Sequence, residues 1–244
     1  MFPHVLRVAR MRVRWIVWTL GIALLAMLAL FPLRLAIAWS DLDEMGFAAR
    51  QVGGTIWYGR LGDLQLRSQP IGTLEVTVDP AALLVGTINM RFGRIDGPEG
   101  PLTGNLVAGF SRGIKSTSGR IAATEIFAPV PVGALELKDV TVLFRDGQCS
   151  EASGQITPVI TVPLPGVRFD AAMAGTVECD GERARVELTS PSGAERIDFH
   201  VQQTGQYRAR MTIRSEDPIV RSTLAVFGFR PTAQGLSLSV DGRL

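Results

Sequence analysis

The chain has 244 residues, of which 46% are hydrophobic and 20% charged. That balance excludes intrinsic disorder, which needs low hydrophobicity and high net charge, and the apolar residues form only one long block, which excludes a polytopic membrane protein. The net charge of +2 is more than covered by Arg7, Arg10, Arg12 and Arg14, so the rest of the chain carries more acid than base, the wrong footprint for a nucleic-acid-binding domain.

Residues 1–14 form a basic tail, which reads as cytoplasmic. Trp15 to Leu33 follows as WIVWTLGIALLAMLALFPL, without a charge. At 1.5 Å per residue it spans about 28 Å, close to the hydrocarbon thickness of a bilayer, and it predicts a transmembrane helix over 15–34. Trp15 and Trp18 mark its entry and Leu33 its far end, with Trp39 just beyond, where indole rings favour the interface. Pro32 falls near the far boundary. Arginines before the segment and Asp41, Asp43 and Glu44 after it put the N-terminus in the cytoplasm and the body outside it. A cleaved signal peptide is the competing reading, with Ala36-Ile37-Ala38 as the cleavage box. The apolar run is too long for that, and Arg34 lies between run and box, which favours a retained anchor. Residues 35–46 continue as a juxtamembrane helix that stops at Gly46.

Residues 47–244 read as one β-rich exported body. Alternation recurs at Leu74–Val78, Ile88–Phe92, Leu135–Leu137, Val186–Leu188, Ile197–Val201, Ala209–Ile213 and Leu236–Val240. Period two means strands with one buried and one wet face, and such sheets are usually antiparallel. The fold class is therefore mainly β, a curved and largely antiparallel meandering sheet. Asp146-Gly147, Asp180-Gly181 and Asp241-Gly242 read as its turns. Two short helices interrupt it, beginning at Asp79-Pro80 and Asp217-Pro218 and stopping at Gly86 and Gly228. Each has an N-cap aspartate, a proline at the first helical position and a glycine stop, and the pair suggests a strand–helix–strand unit used twice. The Pro/Gly-rich stretch near 157–167 is the best internal break.

Cys149 and Cys179 are the only cysteines. In an oxidising compartment an even count points to a disulfide, which would close a loop of about 30 residues and contribute roughly 3–4 kcal/mol. It would cross the break near 157–167, which favours one continuous sheet over two domains.

Catalytic signals are missing. His4 lies in the tail, and His200 alternates with Phe199 and Val201, which puts it on the polar face of a strand. No nucleophile elbow, phosphate loop or metal-ligand cluster appears, and Asp41, Asp43 and Glu44 read as a hydrated collar. The expectation is a protein that is no enzyme, with no cofactor and no metal.

One ordered set of motifs remains. Phe31-Pro32-Leu33-Arg34 leads to Gly53-Gly54-Thr55-Ile56-Trp57-Tyr58-Gly59-Arg60, then to Pro70-Ile71-Gly72-Thr73-Leu74 and the Asp79–Leu84 turn. Leu137–Val140, Cys149–Gly154, Cys179 and the Asp217-Pro218 helix follow in order. This series resembles the type II secretion system protein N (GspN) family. The resemblance implies an accessory component of the bacterial inner membrane with a periplasmic body. Its role would be to support export of folded proteins across the outer membrane. Its partners would be the inner-membrane platform or outer-membrane channel of that machine, and membrane lipid, with no nucleic acid. Gly54, Thr55, Trp57 and Gly59 are the candidate structural or partner-contact residues. Alternation puts Thr55 and Trp57 on one strand face, and Trp57 is either a core anchor or a partner hot spot. An alternative reading is lipid handling by a curved sheet of the AsmA type, with its apolar face open to acyl chains.

Overall fold

The computed structural model describes residues 4–38, 47–66, 69–124, 128, 132–160 and 173–243. Trp39, the acidic collar, the expected helix stop at Gly46 and most of the 157–167 break lie outside the described residues.

Two helices open the chain, α1 (His4–Ala29) and α2 (Leu33–Ala38). The basic tail is thus helical from His4 onward, and the helix does not continue to residue 34. It ends before Phe31-Pro32, because a proline lacks the N–H for the ladder and pushes the residue before it out of the helical region. The described side chains of α1, from Trp15 to Met27, are all exposed. Among the described residues no helix is long and apolar enough to cross a membrane.

The strands follow as β1 (Phe47–Gly54), β2 (Tyr58–Leu66), β3 (Gln69–Val78), β4 (Ile88–Asp96), β5 (Leu102–Ala108), β6 (Arg112–Ala122) and β7 (Val132–Arg145). Next come β8 (Gln148–Ile160), β9 (Gly175–Asp180), β10 (Arg183–Thr189), β11 (Glu195–Gln202), β12 (Gln206–Ile213), β13 (Arg230–Thr232) and β14 (Gly235–Arg243). The short helix α3 (Pro80–Leu84) joins β3 to β4, and α4 (Pro218–Val226) follows β12. All of these strands lie in one 14-stranded sheet, in sequence order from β1 to β12 and then β14 and β13. Every pairing is antiparallel, so the expected meander holds until its last hairpin, where β14 takes the place beside β12 and β13 becomes the edge.

Alternation gives the sheet two different faces. Val186 stands opposite Val177 and Phe199, Phe199 opposite Ala209, and Ala209 opposite Val240. One residue along, Glu187, Asp198, Arg210 and Ser239 make a polar row. The apolar face builds one buried cluster running from Ala123 and β7 through β12 to α4 and Leu236. Between β1 and β5 burial is sparse, with Leu64, Val76 and Leu102 the buried apolar side chains. Register shifts in the β2–β3, β6–β7 and β7–β8 pairs bend the sheet. The bend is tight enough that Gly147 N, in the β7–β8 turn, donates to Gln203 Oε1 in the β11–β12 turn at 2.9 Å.

In a meander, turns alternate between the two ends of the sheet. The proximal end, where the Phe31-Pro32 joint between α1 and α2 meets the sheet, carries the β1–β2 turn, α3 and the turns at Asp146-Gly147 and Asp180-Gly181. α4 and β13 lie at the distal end. The two Asp-Pro helices are capped alike, Asp79 Oδ1 accepting from Ala81 N at 2.9 Å and Asp217 Oδ1 from Ile219 N at 2.8 Å. They share the first-turn proline and a positive-φ glycine stop, and differ in placement and burial: they stand at opposite ends, α3 buries no side chain, and α4 buries Val220 and Leu224. β3 pairs directly with β4, whereas β12 skips the strand after α4, so the expected unit does not recur as a topology. Asp241-Gly242 is not a turn. Both residues belong to β14, and Gly242 is small because any Cβ there would overlap the Tyr207 side chain across the ladder.

Candidate functional site

The Gly53–Gly59 motif is the β1–β2 hairpin turn rather than a single strand. Gly54 pairs with Gly59, and Thr55 N donates to Tyr58 O at 3.0 Å. Thr55 Oγ1 accepts from Tyr58 N at 3.3 Å. Gly54 has φ +87°, and a Cβ there would overlap the Tyr58 carbonyl oxygen, so only glycine closes this turn. Trp57 is therefore in the turn, half-buried, and its carbonyl accepts from Val78 N at 3.1 Å, tying the turn to the end of β3.

The same turn receives the N-terminal segment. Ile56 N donates to Phe31 O at 3.0 Å, and Pro32 forms an isolated antiparallel bridge with Thr55. Leu33 is half-buried over Gly59, where any added Cβ would overlap its side chain. The two motifs that stand first in the resemblance thus meet in space. Trp15 and Trp18 remain on α1, 68% and 67% exposed, but Leu33 belongs to this joint and not to the end of a membrane helix.

Cys149 and Cys179 form a disulfide with a Cα–Cα distance of 5.4 Å. It joins the start of β8 to the end of β9. The ladder between these strands consists of the pairs Gln155–Thr176 and Ile156–Gly175, so the bond closes a thinly paired seam.

His200 sits on the polar face opposite Arg185 and Arg208. Its Nδ1 is buried and finds no partner among the described residues. Burial, and then the Arg185 charge, push its pKa below the ordinary value. Arg185 itself pairs with Glu187 at 2.7 Å and Asp198 at 3.2 Å. At the distal end, away from His200, Arg210, Arg230, Thr212 and Ser239 line a surface cleft of about 700 Å³ whose lining has no carboxylate, thiol or imidazole. Among the described residues no group of three or more histidine, cysteine or acidic side chains gathers.

Arg94 was not singled out by sequence. It lies on the apolar face, 6% exposed, and donates to the carbonyls of Gly100 and Arg120, pinning the distal β4–β5 turn to β6. Burial pulls its pKa down against the raising effect of Glu99. The signal available was an arginine at an apolar position of the β4 alternation.

A turn that binds the incoming chain, a sheet with one apolar face and one disulfide together form a scaffold. The family model of type II secretion system protein N matches residues 45–239. The chain belongs to that family. The match covers the whole sheet except the last residues of β14, and it begins after α1 and α2. No curated protein and no solved structure matches the chain significantly. The family is an accessory component of type II secretion.

Proposed function

We propose that the protein is a non-enzymatic accessory component of the type II secretion system, held in the bacterial inner membrane by α1 with its sheet in the periplasm. The observation that carries this reading is the family match over residues 45–239. Three features support the finer parts. The sequence of α1 from Trp15 to Ala29 holds no charge, about 22 Å of helix at 1.5 Å per residue, and the uncharged run goes on through the proline break to Leu33. The positive-inside rule orients the arginine-rich start toward the cytoplasm. The Cys149–Cys179 disulfide suits the oxidising periplasm. The partners are then other components of the secretion platform or channel, and the function is to help folded proteins leave the periplasm.

The test is deletion of the gene with the full chain supplied back. Folded exoproteins should accumulate in the periplasm without it and be secreted again with it; unchanged secretion would overturn the reading. Crosslinking in living cells, with proteins and lipids both identified, separates the second reading. That reading is favoured by the sparsely covered apolar row Val78, Met90, Leu106 and Ile114 on the β3–β6 face. Stoichiometric phospholipid without secretion components would favour lipid handling.

A further inference from the structure

Most of the exposed large apolar side chains in the first half of the sheet lie at one end, Ile95 at the distal end of β4 being the exception among the described residues. Leu84, the last residue of α3, and Val85, its C-cap, are 89% and 68% exposed. Phe110, in the β5–β6 turn, is 74% exposed, and Tyr58 in the β1–β2 turn 61%. The meander brings all of them to the proximal end. α3 and the Phe110 turn are adjacent there, since a Cβ on Gly86 would stand 3.3 Å from the Phe110 ring. Ile88 and Leu106, 44% and 40% exposed, continue the patch onto the apolar face.

This end is also where α1 arrives, and the joint leaves no slack. Phe31 O is bonded to Ile56 N, Pro32 bridges Thr55, and Leu33 covers Gly59, so Ala29, the last residue of α1, lies only a few residues from the rim. Nothing in the described body covers α1, whose side chains from Trp15 to Met27 stand free of it. Whatever solvates that apolar helix therefore reaches the rim. Charge at this end is mixed: Arg34 and Arg112 are exposed beside the apolar tip, Asp146, Asp180 and Glu182 are exposed on turns farther along the same rim, and the Asp79 carboxylate is occupied by Ala81 N.

We propose that Tyr58, Leu84, Val85 and Phe110 dock into the interfacial layer of the bilayer that holds α1, so that the sheet stands on its proximal end. An aromatic and aliphatic tip between arginines is the chemistry of an interfacial anchor. This inference rests on the reading of α1 as the membrane anchor.

The experiment places a nitroxide label at one introduced cysteine at a time, since both native cysteines are held in the disulfide. Val85→Cys, Phe110→Cys, Val226→Cys and Leu24→Cys are made in the full chain, reconstituted in vesicles of phosphatidylethanolamine and phosphatidylglycerol. Accessibility to oxygen is compared with accessibility to a water-soluble nickel reagent. Val226, 86% exposed on α4 at the distal end, controls for exposure alone. The expected result is an oxygen-to-nickel ratio several-fold higher at 85, 110 and 24 than at 226. Aqueous ratios at 85 and 110 with a lipid ratio at 24 would overturn the docking and leave the anchor standing. An aqueous ratio at 24 would remove the anchor reading and the docking with it. A lipid ratio at 226 equal to that at 85 would overturn the docking by showing no preference between ends.

Discussion

At Gly59 the absence of a side chain is a packing requirement. Leu33 occupies the volume a Cβ would need, and the carbonyl oxygens of Gly53 and Thr55 lie within 3.3 Å of that position. Gly59→Ala should lower stability by about 1–3 kcal/mol by overpacking the joint. Leu33→Ala should recover part of that loss, and a double-mutant cycle in urea checks the coupling. The glycines themselves were legible in the sequence, but their partner was not, because alternation describes one strand at a time and Leu33 comes from another element. His200 gives the second prediction at this scale. Its folded pKa is lowered by burial and by Arg185, with Arg183 adding to the effect and Asp198 and Asp180 opposing it. Its contribution to stability is therefore present above the unfolded histidine pKa. It is lost as pH falls through the lower folded value. Replacing His200 with Gln should flatten the acid limb of the stability–pH curve below about pH 6.5, read from urea midpoints across pH.

Among the elements, β8 and β9 meet least well. Their ladder is two residue pairs, and β8 runs on past the first residue of β9, Gly175, to Ile160. The disulfide spans a sequence separation of 30 residues across this seam. Replacing both cysteines with serine should cost roughly 3–4 kcal/mol in urea unfolding on the chain-entropy model, and amide exchange should rise first in β9. The strands were legible from period two, and the caps from Asp-Pro and glycine. The end of α1 was misread. Apolar composition is uniform from Trp15 to Leu33, and only the proline and its pairing with Thr55 decide that the helix stops at Ala29. Asp241-Gly242 was misread for the opposite reason. The dipeptide fits a turn, but the Tyr207 ring across the ladder holds it in an extended strand.

For the molecule as a whole, burial is uneven. The contiguous core begins at Ala123 and extends to Leu236, while β1 to β5 are held mainly by their ladders. Amide exchange in the purified full chain should be slowest in β7 and in β10 to β12 and faster in β1 to β4. Equal protection across the sheet would show that the first half is covered by something other than its own side chains. From β2 to β12, each strand of this sheet pairs with the one made just before it. Each new hairpin can add to the edge left by the one before, with no strand from β1 to β12 waiting for a distant partner. The one exception is the last step. β12 pairs with β11, but its outer edge cannot be paired until the chain has made α4 and β13 and doubled back, so β14 is inserted between strands already made. The order of folding is thus written into the order of strands, and completion depends on the arrival of β14.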